Sequence, residues 1–292
     1  MTASESMGEL RSALHEPSVE SWNRAVELLT RWDGHQQLVE EVVPYAHDIL
    51  SRWPDEVPRA LPQNWQDSFF GNTKPLAATF DLMTLVSEIS SKSMYSSSNP
   101  PTSPLKAPPS TALHLLAKKF LLGSKTPEDR LMWLAACEAP RLEAIGLMIY
   151  SFSKEVAKEW NLASWLGENL KTLDVIISDE VLPVLLEGKS LKGLTSISIS
   201  GAEGFVQAAG LSALLDAARG AELTVLDCSD AWLGEDAARV LASHETLKSV
   251  YDLDLRYNAF MGSDGVEQIL RSKYVTDVVK DDINDYYEDI FE

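Results

Sequence analysis

Basic residues are scarce in this chain, and cysteines and histidines are scarcer. Against 44 Asp plus Glu stand only 25 Lys plus Arg, giving a formal net charge of −19. Such a surface repels phosphate backbones, which argues against direct nucleic-acid binding, and it speeds encounter with basic partners. The two cysteines, Cys137 and Cys228, stand in apolar surroundings and read as small buried hydrophobes. No disulfide framework is therefore expected, and a reducing compartment is. The five histidines, His15, His35, His47, His114 and His244, share no four-residue spacing, so no metal site is expected. His244 closes a predicted helix and suits a capping role better than chemistry.

Gly-rich phosphate loops, nucleophile elbows and kinase signatures are missing too. The expectation is a chain with no catalytic residue and no cofactor. Met1–Gly8 has no basic start followed by an apolar run, and no apolar stretch approaches the roughly 18 residues of a membrane span. A cytoplasmic protein without membrane contact is the default reading.

What the chain does have is organisation. Residues 1–90 read as a helical domain. Trp22, Val26, Leu29 and Trp32 fall at helical spacing after Ser18, and Leu38, Val42, Tyr45 and Ile49 mark a second helix over about 37–52. Between Trp53 and Trp65 three prolines and two tryptophans predict an ordered corner, packing the helical domain or making a second contact. A further helix is predicted over about 75–90, carrying Leu76, Phe80, Met83 and Val86. Residues 91–110 are dense in serine and proline and predict a flexible linker, a plain tether or a cut or modified segment. Two helices near 111–122 and 127–137, within a unit spanning 111–140, are expected to cap a repeat array that begins at residue 141. Thr126-Pro127-Glu128-Asp129 is a helix start with a capping hydroxyl, proline and early acids.

From residue 141 to 275 one pattern recurs: an apolar residue, two residues, an apolar residue, one residue, an apolar residue. Its copies are Leu142–Ile145–Leu147, Leu170–Leu173–Val175, Leu194–Ile197–Ile199, Leu223–Leu226–Cys228 and Val250–Leu253–Leu255, spaced 28, 24, 29 and 27 residues apart. A fixed period in this range predicts a stack of strand-plus-helix units, none of which buries its apolar face alone. Helices are expected over 205–218, 235–243 and 263–271. Asn258 stands where a side-chain amide can satisfy backbone groups at the turn leaving the fifth strand. Tyr274-Val275 suggests a last strand.

Leu226-Asp227-Cys228 followed by Leu233-Gly234-Glu235, and Leu253-Asp254-Leu255 with Asn258, resemble leucine-rich repeats of the ribonuclease-inhibitor type. The turn asparagine survives only as Asn258; Ala202 and Ala231 hold the matching places, and the 24-residue second unit carries Pro183. The resemblance covers about residues 142–275 and implies an α/β leucine-rich-repeat solenoid, parallel strands inside and helices outside, behind an all-α N-terminal region. It also implies that the inner strand face binds another protein. The candidate partner-binding residues on that face are Asp174, Ser198, Ser200, Asp227, Ser229, Asp252, Asp254 and Arg256. Four of the eight are aspartates, so the expected partner is a protein with a basic surface; the opposing reading is that aspartate is simply frequent after the core leucine.

Residues 276–292 end the chain with seven acids and one lysine, and Ile283, Tyr286, Tyr287, Ile290 and Phe291 fall at helical spacing. They predict an acidic amphipathic helix that covers the last unit or enters a partner's groove. The expected function is a non-catalytic interaction module or adaptor. The alternatives are an inhibitor or immunity-type protein that blocks a basic enzyme, and a regulated substrate cut or modified within 91–110.

Overall fold

The computed structural model describes residues 3–32, 35–62, 65, 82–90, 115–123, 128–148, 152–162, 166–167, 169–176, 179–199 and 208–291. It opens with helices. Helix α1 spans Ala3–Ala13 and α2 spans Val19–Thr30, the latter started by Ser18, whose Oγ accepts from the Ser21 N–H at 3.0 Å. Trp22, Ala25, Leu28 and Leu29 bury one stripe of α2. The second predicted helix is interrupted where Pro44 demands it. A short α3 (His35–Gln37) passes through a π-helical turn, Leu38–Val42, into α4 (Val43–Leu50). Proline lacks a donor and its ring crowds the carbonyl four residues back. The wider turn, closed by the Val43 N–H on the Leu38 carbonyl, absorbs that misfit.

The tryptophan corner packs inward. Trp65 is fully buried and meets Trp22 edge-to-face at 6.2 Å. Their indole N–H groups donate to Thr30 Oγ1 (2.9 Å) and the Ala60 carbonyl (3.1 Å), and that of Trp53 donates to the Leu14 carbonyl (3.3 Å).

Seven parallel strands follow, paired in chain order: β1 (Glu88–Ser90), β2 (Lys119–Gly123), β3 (Ala144–Met148), β4 (Thr172–Ile176), β5 (Ser196–Ile199), β6 (Val225–Asp227) and β7 (Asp252–Asp254). The five copies of the apolar pattern land on β3 to β7. Their middle residues form one buried row, Ile145, Leu173, Ile197, Leu226 and Leu253, continued through Phe120 of β2 and Ile89 of β1. The helices are α5 (Glu128–Ala135), α6 (Lys154–Leu162), α7 (Leu182–Leu186), α8 (Ala208–Ala217), α9 (Glu235–Ser243), α10 (Gly262–Leu270) and α11 (Asp277–Phe291). Each of α5 to α10 packs on its successor in chain order, and their apolar faces join the buried strand rows in one core. Among the described residues no helix is long and apolar enough to cross a membrane.

Three expectations are corrected. Residues 115–122 are not helical: Leu115–Ala117 runs extended into β2, where Phe120 and Leu122 point into the core on alternate positions. Ala117 stands where the later copies have leucine, and the run Leu115-Leu116-Ala117 fits either period. The helix expected over 75–90 ends in β1 instead; its first residues, 75–81, lie outside the described residues. Tyr274-Val275 forms no strand and turns into α11, with Val275 buried.

The Ser/Pro-rich stretch 91–110, expected to be a flexible linker, lies outside the described residues. In sequence it falls between β1 and β2, which are adjacent strands of one sheet. The helical region reaches the sheet edge directly, through a parallel bridge between Ala60 and Glu88 and a 2.9 Å bond from the Ser87 N–H to the Arg59 carbonyl.

Candidate functional site

Alternation along each strand sends every second side chain away from the helices. The register aligns these residues across the sheet: Leu121, Gly146, Asp174, Ser198, Asp227 and Asp254 form one row. Beside it runs a second row of Lys119, Ala144, Thr172, Ser196, Val225 and Asp252. The first row is apolar and small at its start and acidic at its end. A Cβ on Gly146 would lie 2.7 Å from Leu121 Cδ2, so glycine there leaves the room that Leu121 occupies.

The predicted site residues divide by what holds them. Asp227 Oδ1 accepts from the Ser229 N–H (2.9 Å) and from Ser229 Oγ (2.7 Å). Asp254 Oδ1 accepts from the Arg256 N–H at 3.0 Å, and the Arg256 guanidinium forks onto the same carboxylate at 2.5 to 3.0 Å. The Arg256 hydrogen bond holds the Asp254 carboxyl below its ordinary range, and the same hydrogen bond, helped by the Asp254 charge, raises Arg256 in return. Arg256 is thus the counter-ion of Asp254. Asp252 is exposed at the edge, Ser198 is half-buried between Asp174 and Asp227, and Ser200 lies outside the described residues.

Asp174 differs from all of these. It is half-buried, and its carboxylate accepts no hydrogen bond among the described residues. Burial pushes its pKa up, the Asp227 charge adds to that, and Lys119 opposes it.

The C-terminal helix borders this face. Val279, Ile283 and Tyr287 of α11 are buried, and Tyr287 Oη donates to the Leu255 carbonyl at 2.7 Å. Burial pushes the Tyr287 phenol up to about 12. The Tyr257 N–H donates to Tyr286 Oη at 3.3 Å, so the helix satisfies backbone groups that the last strand would otherwise expose. Between β7 and α11 lies a pocket of about 190 Å³ lined by Asp252, Asp254, Arg256, Asp282, Ile283 and Tyr286.

Asn258 acts as the sequence suggested, and further. It is buried; its Oδ1 accepts from the Leu233 N–H (2.9 Å), and its Nδ2 donates to the carbonyls of Cys228 and Leu255 (both 2.8 Å). One amide serves two successive loops, which is why Ala231 suffices at the matching place one unit earlier. His244 caps a short 3-10 turn, its Nδ1 accepting from the Thr246 N–H at 3.3 Å. Both cysteines are free and buried, and burial raises the Cys228 thiol.

A second groove, about 400 Å³, lies at the strand starts between Asp55, Lys118, Arg141, Glu143 and Lys171. Its charges meet each other: Asp55 pairs with Lys118 (2.8 Å) and Arg141 (3.5 Å), Glu143 pairs with Lys171 (3.2 Å), and Arg141 also donates to the Ser51 carbonyl (2.5 Å). The groove clamps the helical region to the sheet. Among the described residues no cluster of His, Cys, Asp and Glu side chains could hold a metal ion.

Sequence reasoning passed over one feature. Trp232, Tyr257 and Phe260 are exposed on the loops that leave β6 and β7. The only signal was aromatic residues beside the turn positions, where polar ones are the norm. No protein-family model matches the chain, and no curated protein matches it.

Proposed function

We propose that the chain is a non-catalytic interaction module of leucine-rich-repeat type. In this reading its units stack into an α/β solenoid, and the strand face turned away from the helices binds a protein with a basic surface. Sequential parallel pairing, helices between successive strands and the shared turn amide of Asn258 all support the repeat reading.

The observation that carries the binding reading is Asp174. A half-buried carboxylate with a raised pKa and no hydrogen-bond partner among the described residues is destabilising in the free protein. A cation arriving from a partner would relieve that cost, and Ser198 and Asp227 follow Asp174 in the same row. The net charge of −19 steers such a partner in.

The test is affinity capture with the wild-type chain and with Asp174→Lys plus Asp227→Lys, followed by measured affinities for the proteins recovered. A specific basic partner should be lost with the double variant while circular dichroism stays unchanged. Its affinity for the wild type should also fall as salt is raised. A partner that binds the double variant unchanged overturns the strand-face reading.

A further inference from the structure

The described non-glycine residues with positive φ number three, and all stand on the two loops after β6 and β7. They are Asp230 (51°), Trp232 (57°) and Tyr257 (64°). Asp230 and Tyr257 occupy the same place one unit apart. A left-handed turn is needed there, because the Asn258 amide collects backbone groups from both loops. That need does not call for aromatic side chains. Glycine takes the conformation freely, and aspartate or asparagine takes it with little strain. Bulky residues in it are outliers, and held strain of this kind is a pointer to function.

The strained residues also show apolar surface. Trp232 is 46% exposed, Phe260 57% and Tyr257 69%. The Trp232 and Phe260 rings stack at 5.6 Å and 20°, joining the two loops in one exposed aromatic pair. Tyr257 packs edge-on against Tyr286 at 6.4 Å, and Tyr286 lines the pocket with Asp252, Asp254 and Asp282. Tyr257, on the same loop as Phe260, thereby adjoins the acidic end of the strand face. Asp230, two residues before Trp232, and Asp264, four residues after Phe260, are exposed and form no ion pair among the described residues. Such surroundings choose the occupant: a second copy of this chain brings another −19, and a lipid or nucleic-acid surface brings phosphates. A guanidinium, by contrast, stacks on indole and finds carboxylates at its edge.

We propose that Trp232 and Phe260, with Tyr257, form the docking point for arginine side chains on a segment of a basic protein partner. This rests on the proposed function in one respect, that the partner is basic; the residues are different ones.

The test titrates fluorescently labelled nona-arginine and nona-lysine peptides into the full chain at low salt. Wild type is compared with Trp232→Gly, Phe260→Ala and Asp174→Asn plus Asp227→Asn. Trp232→Gly relieves the positive φ, which offsets the packing it loses, and a melting temperature within about 3 °C of wild type shows that its weakened binding does not come from unfolding. Nona-arginine should bind the wild type more tightly than nona-lysine, and Trp232→Gly should weaken nona-arginine about tenfold while erasing most of that preference. No saturable nona-arginine binding by the wild type overturns the proposal. So does binding by Trp232→Gly and Phe260→Ala within about twofold of wild type, whatever the aspartate variant does. If the tryptophan variant weakens binding and the aspartate variant does not, the docking point stands and the strand-face reading fails.

Discussion

Replacing Asn258 by alanine removes one buried amide that holds two loops, and its cost can be worked group by group. The Leu233 N–H loses the acceptor at 2.9 Å and is left buried without a partner, a penalty of about 1–3 kcal/mol. The Cys228 carbonyl loses its 2.8 Å donor, worth about 1 kcal/mol. The Leu255 carbonyl also loses a donor but keeps Tyr287 Oη at 2.7 Å, so little is added there. The total is roughly 3 kcal/mol, against under about 0.5 kcal/mol for an ordinary surface asparagine. Asn258→Asp should do worse at neutral pH, because a carboxylate would then face the carbonyls of Cys228 and Leu255; protonation at acidic pH should return part of the loss. Urea titration followed by far-ultraviolet circular dichroism reads this as a lower midpoint with an unchanged slope. A loss under about 1 kcal/mol for Asn258→Ala would refute the claim that one amide serves both loops.

The remaining expectations concern single groups. Tyr287→Phe should cost only about 1 kcal/mol, since Leu255 keeps Asn258 Nδ2, yet combined with Asn258→Ala it should cost more than the sum, measured as a double-mutant cycle in urea. Asp174 has a folded-state pKa above its unfolded one, so the native state holds that proton more tightly. Stability therefore falls as pH rises from the unfolded pKa through the folded pKa, and stays lowered above it. Asp174→Asn should accordingly raise the melting temperature at neutral pH and give no gain at pH values below both; a gain equal at all pH values contradicts the assignment. Arg59 is buried with Nε and Nη1 unpartnered among the described residues, and burial lowers its pKa. Arg59→Met should leave the melting temperature unchanged or higher by calorimetry, and a fall of more than about 5 °C would mean that the charge is used.

Much of the sheet was legible because its signal is apolar and periodic. A leucine, isoleucine or valine at each core slot of β3, β4 and β5 leaves little choice of register. Two strands stayed hidden for different physical reasons. In β2 the leading slot is Ala117, too small to announce a core position, and the flanking Leu115-Leu116 satisfies helical spacing equally well. In β1 the leading slot is Val86, which also completes the helical series Leu76, Phe80, Met83; nothing local separates the two periods over so few residues. Only pairing with β2, through Ile89 on Phe120, decides it. Tertiary contact overrode local preference in both.

The site was legible as a row of residues but not as a pattern of charge. Composition treats Asp174, Asp227 and Asp254 alike, yet two of them are used by their own loops. Asp227 receives the Ser229 N–H and Asp254 the Arg256 N–H, the same two-residue turn in neighbouring units. That geometry favours aspartate for a purely local reason, so those two acids alone would not argue for a partner. Asp174 is followed two residues later by Ile176, and no such turn forms. Its burial, its lack of a hydrogen bond among the described residues and its nearness to the Asp227 charge give it a cost that no turn of its own offsets, though the Lys119 charge opposes it. The charge of Asp174 is therefore the quantity that separates a binding face from a set of turn-forming aspartates. Reversing it alone, in Asp174→Lys, should abolish capture of a basic partner and should stabilise the free chain by pairing with Asp227. A turn-forming role predicts neither result.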